Sequence, residues 1–75
     1  MIIYTKHARE MMALRKITER LVEQCLNNPD RILPGRESKK IYLKQVGYIF
    51  LKVITVKESN NLIIITIHWL SIVNK

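Results

Sequence analysis

Apolar and polar positions follow two different periods along this chain, and the change between them divides it into a helical first half and a stranded second half. Ile2 to Tyr4 reads as a short edge strand or an extended lead-in. Thr5 then offers an N-cap hydroxyl, and Lys6 to about Leu14 follows as a helix with Ala8, Met11 and Met12 at helical spacing. Lys16-Ile17-Thr18 interrupts that pattern. Thr18 is a second candidate N-cap, and Glu19 complements the positive end of the next helix. Leu21, Val22, Cys25 and Leu26 make an apolar stripe one turn apart on that helix. It ends at Asn27-Asn28-Pro29, because proline disfavours the helical region for the residue before it.

Asp30 to Gly35 reads as a connector, with a short strand at Arg31 to Leu33 and a turn at Pro34-Gly35. From Lys39 the period becomes two. Lys39 to Val46 and Tyr48 to Val56 form successive strands linked at Gly47. A second hairpin loop runs from Lys57 to Asn61, where asparagine tolerates the positive φ such loops need. Leu62 to Leu70 is the last strand, apolar on both faces and therefore central rather than exposed. The predicted fold class is α+β, with two N-terminal helices packed on a three- to four-stranded antiparallel sheet. One face of that sheet is expected to stay partly open.

Composition changes this picture in three respects. The chain has 75 residues, enough for a single domain with a thin core that a dimer or tight partner would help stabilise. Its 13 Lys and Arg against 6 Asp and Glu give a net charge of +7, distributed over both halves. Such a surface favours polyanions, or simply keeps a small domain soluble. Cys25 is the single cysteine, so no disulfide can form within one chain, which fits a cytoplasmic setting. No secretory signal is legible in the opening residues. The longest uncharged stretch has an apolar centre well short of the ~20 residues a membrane-spanning helix needs, so no membrane contact is expected.

Candidate chemistry is sparse. His7, in the first turn of the first helix, suits proton transfer near neutrality, and a helix N-terminus favours phosphate. Its alternative is a structural role, pinning the helix to the sheet. His68, beside Trp69, reads as a satisfied strand residue more than a catalyst. Arg15 closes the first helix, either as favourable charge at its C-terminus or as a phosphate clamp. Lys40, Tyr42 and Lys44 share one strand face. They read either as a cation–aromatic–cation row for nucleic acid, joined by Arg9, Lys16 and Arg36, or as a solvated face. No glycine-rich phosphate loop, paired carboxylates or Cys/His metal spacing is present, so no cofactor or metal is expected.

Tyr4-Thr5-Lys6-His7-Ala8-Arg9-Glu10-Met11-Met12, continued by Arg15-Lys16-Ile17-Thr18, resembles the opening of the family called domain of unknown function 4258. The likeness extends through Asn27-Asn28-Pro29-Asp30, Gly35-Arg36, Lys40-Ile41-Tyr42, Lys44 and Ile63-Ile64-Ile65-Thr66. The resemblance implies a fold related to RelE-like and BrnT-like toxins, which are small, basic and often paired with an antitoxin. Several of them cleave RNA without a metal. His7 and Arg15 match the family's histidine and arginine. Met11 stands where the family usually has Arg, and Lys16 where it usually has Gly. The function expected on this basis is RNA- or ribosome-directed and toxin-like, with metal-independent endoribonuclease activity centred on His7 and Arg15. Two alternatives stay open. One is a non-catalytic nucleic-acid-binding module. The other is an interaction domain that forms a homodimer or meets an acidic antitoxin-like protein.

Overall fold

A computed structural model describes residues 1–71. Strand β1 (Ile2–Tyr4) leads into helix α1 (Lys6–Arg15) and helix α2 (Glu19–Asn27). Four strands follow: β2 (Arg31–Pro34), β3 (Lys39–Val46), β4 (Ile49–Glu58) and β5 (Asn61–Ser71). They form one five-stranded sheet in the order β1-β5-β4-β3-β2.

Both helices start where a threonine can cap them. Thr5 Oγ1 accepts from the Ala8 amide at 3.0 Å, and Thr18 Oγ1 accepts from the Leu21 amide at 3.1 Å. Each bond satisfies an amide that the first turn leaves without a helical partner, worth about 1 kcal/mol. Helix α1 stops at Lys16, which adopts the left-handed region at φ 57°. The Lys16 and Ile17 amides turn back to Ala13 O and Met12 O, at 3.4 and 2.8 Å, and this tucks Ile17 into the core.

The antiparallel meander β2 to β5 is as the period-two pattern predicts, but the sheet is wider and mixed. Strand β1 adds to the β5 edge in parallel, with Ile2, Ile3 and Tyr4 opposite Leu62, Ile63 and Ile64. This corrects the expected three- to four-stranded antiparallel sheet. Three residues are too few to show a period, and the partner lies some 60 positions away. The parallel sense follows from the helical crossover between the strands. The β2–β3 reversal also differs. It falls at Glu37-Ser38, both at positive φ, with the Lys39 amide donating to Arg36 O at 3.0 Å, so Pro34 ends strand β2.

The core gathers Ala8 and Met12 of α1, Ile17, Val22 and Cys25 of α2, and Leu51, Val53, Ile64 and Ile67 of the sheet. Helix α2 lies over β3 and β4, whereas α1 runs along β5. The Cys25 thiol points at Leu51 O, 3.9 Å away, and burial pushes its pKa up to about 11, so it packs as a small hydrophobe. Ile64 and Ile67 are both fully buried although three residues apart. A regular strand would send them to opposite faces. The register explains it: Ile54 opposes Thr66 while Thr55 opposes Ile64, so Ile65 is an extra residue, a β-bulge.

Candidate functional site

That bulge determines which β5 side chains leave the core. Beyond it, Ile67 and Trp69 turn toward the helices, opposite Val53 and Leu51. Thr66 and His68 turn to the other face, opposite Ile54 and Lys52. An unbulged strand in the Ile64 register would send Thr66 and His68 inward instead. Helix α1 is anchored at the same place. Thr5 Oγ1 donates to Ile65 O at 3.1 Å, and the Thr5 amide donates to Ile64 O at 3.1 Å.

With its start fixed there, α1 presents three stripes. Ala8 and Met12 enter the core. His7, Met11 and Arg15, one turn apart, form the stripe beside it. His7 Nε2 lies 3.0 Å from Thr66 Oγ1, and the Arg15 guanidinium rests against Met11 Sδ. The flank carrying Arg9 is engaged structurally: Arg9 pairs with Glu19 at 2.6 Å and covers the Tyr4 ring at 4.7 Å from its centroid.

His7, Arg15, Thr66 and His68 thus gather where α1 runs along β5, and Lys52 joins them from β4 as the cross-strand partner of His68. His68 records the convergence. Its imidazole is held below the usual histidine range, first by burial and then by the positive charges of Lys52, Arg15 and His7. Its Nε2 is enclosed with no hydrogen-bond partner. At neutral pH His68 is therefore a neutral imidazole inside a cationic group, next to an exposed histidine held by a threonine hydroxyl. Neutral and charged nitrogen groups side by side can move a proton and stabilise a phosphate. Among the described residues no group of His, Cys, Asp and Glu side chains is arranged to hold a metal ion.

The other residues singled out in the sequence are dispersed. Lys16 is the exposed helix terminus and Arg36 lies at the β2–β3 turn. Lys40, Tyr42 and Lys44 do share a face, but it is the face on which α2 packs. Tyr42 abuts the core, and Lys44 Nζ donates to Asn28 O at 3.1 Å, meeting a carbonyl at the end of α2. They do not join His7 and Arg15. Nothing in the sequence pattern singles out Lys52, and His68 reads there as a satisfied strand residue. The signal available was a histidine flanked by threonine and tryptophan in an otherwise aliphatic strand, and its facing could not be read without the bulge.

The chain matches the family described as "Domain of unknown function (DUF4258)" over residues 4–69, and it belongs to that family. Neither a curated protein nor a solved structure matches it. Among the described residues no helix is long and apolar enough to cross a membrane.

Proposed function

We propose that this protein is an RNA-directed, toxin-like protein that cleaves RNA without a metal where α1 runs along β5. The observation that supports this reading is the convergence of two histidines, a threonine, Lys52 and Arg15 on one side of the sheet. RNA carries its own nucleophile, so cleavage requires only a base, an acid and cations. His68, neutral, takes the proton of a 2′-hydroxyl. The enclosed Nε2 leaves Nδ1 as the atom that meets it. The 2′-oxygen forms a bond to phosphorus, and the bond to the 5′-oxygen breaks as His7 gives that oxygen a proton. Arg15 and Lys52 hold the phosphate oxygens throughout. The products are a 2′,3′-cyclic phosphate and a 5′-hydroxyl.

The test is RNA incubated with chelator present, using the wild type beside His7→Ala and Arg15→Ala, with folding checked by circular dichroism. Cleavage by the wild type that is lost in the folded variants is the expected result. Intact RNA with every protein, including wild type purified free of any bound partner, rules the reading out. A second reading, binding without cleavage, is favoured by one residue. Met11 sits between His7 and Arg15 on their stripe and brings no charge to a phosphate there. The same incubation separates the two readings, because a binder retards RNA at low salt and leaves it whole.

A further inference from the structure

On the opposite side of the sheet, at the end that α2 does not cover, the strands form an open pocket of about 290 Å³. Its walls include Lys40, Tyr42, Lys57, Leu62 and the hairpin residues Asn60 and Asn61. We propose that this cavity binds a nucleotide through a terminal phosphate, at a site separate from the His7–His68 face.

The charge arrangement points to an anion. Lys40 opposes Thr55, and Lys57 stands two residues further along β4, so the two lysines are diagonal neighbours about 7–8 Å apart at their roots. Among the described residues no carboxylate lines the cavity. Strand alternation sends Glu58 to the other face, and Glu37 is occupied by Lys39 at 3.1 Å. Among the described residues neither Lys40 nor Lys57 forms an ion pair. Two uncompensated ammonium groups repel, and a phosphate dianion seated between them relieves that repulsion.

The remaining wall suits a base. Tyr42 is half-buried, two residues along β3 from Lys40, and offers an aromatic surface beside the phosphate position. Asn60 and Asn61 contribute side chains that both donate and accept, as base edges require. An apolar floor with few polar groups is typical of a small-ligand pocket, and Ile2 paired with Leu62 provides it here. Lys44, which the β3 alternation also places on this face, is drawn away to Asn28, so the second lysine of the pocket comes from β4 rather than from the same strand.

The test uses uridine 5′-monophosphate, uridine and two short oligouridylates that differ only in a 5′-phosphate. Binding is followed by amide chemical shifts at low salt, in a His7→Ala/His68→Ala protein so that no probe is consumed. The monophosphate is expected to shift amides around Lys40, Lys57 and Asn61, and uridine to do so far more weakly. Lys40→Gln/Lys57→Gln is expected to weaken the monophosphate about tenfold or more, through loss of two charge-assisted contacts. Tyr42→Leu tests the stacking arm separately. Binding by the 5′-phosphorylated oligomer as well identifies an RNA end as a ligand, while binding of the mononucleotide alone identifies a free nucleotide. Shifts confined to the His68 side, or affinity unchanged in Lys40→Gln/Lys57→Gln, overturn the proposal. Neither result bears on cleavage at the other face, so the two proposals fail independently.

Discussion

At the residue scale, Lys16 and His68 have physical consequences that can be measured. Lys16 occupies a left-handed position at φ 57°, a conformation that favours glycine. A side chain there costs about 1 kcal/mol relative to glycine. Its ammonium is exposed and forms no ion pair among those of the described residues, so nothing offsets the cost. Lys16→Gly is expected to raise the unfolding free energy by about 1 kcal/mol in a denaturant titration. His68 makes a prediction in pH. Its folded pKa lies below its ordinary value of 6.5, so near neutrality both folded and unfolded states are neutral there. As pH falls below about 6.5 the unfolded chain takes up the proton first, and stability declines until the folded pKa is passed. His68→Gln should flatten that acid limb, seen as a smaller loss of thermal midpoint between neutral pH and pH 5.

At the element scale, turns and a bulge decide what the strands can do. The β2–β3 reversal places Glu37 at φ 56° and Ser38 at φ 65°, two consecutive residues in a region that favours glycine and asparagine. That is the backbone of a type I′ hairpin turn. Replacing the pair by Asn-Gly should stabilise the protein by about 1 kcal/mol, read as a higher denaturant midpoint. The legibility of the sequence divides along the same line. Helix boundaries were readable because Thr5, Thr18 and Pro29 act through neighbours a few positions away. The apolar stripe of α2 was readable because it repeats. The Ile65 bulge was not, since a run of aliphatic residues fits either register, and only pairing with Ile54 and Thr55 on β4 shows where the extra residue falls. His68 and Lys52 could not be grouped without it. Ile2–Tyr4 was readable as an edge strand, but its parallel pairing with β5 was not, being a contact between residues some 60 positions apart.

At the scale of the whole molecule, α2 covers one side of β3 and β4, and α1 closes the β5 edge. The other side stays open, bearing Leu33, Leu70 and Ile3 as exposed apolar residues on the same face as Lys52 and His68. The net charge of +7 is thereby displayed on two faces with different chemistry, one holding paired histidines and the other paired lysines. The predicted row Lys40–Tyr42–Lys44 was correct as a shared face, but it belongs to the second of these rather than to the His7 side. Only the three-dimensional order of strands separates them. On the function proposed, the bulged segment of β5 carries the catalytic base, His68. The direct measurement is the single-turnover rate of RNA cleavage in chelator for the wild type and for folded His68→Gln. A positioned base contributes about 10²–10⁴-fold, so the variant is predicted to be slower by at least that lower figure and the wild-type products to end in 2′,3′-cyclic phosphate. Equal rates for the two proteins, or cleavage that leaves 3′-hydroxyl ends, would contradict it.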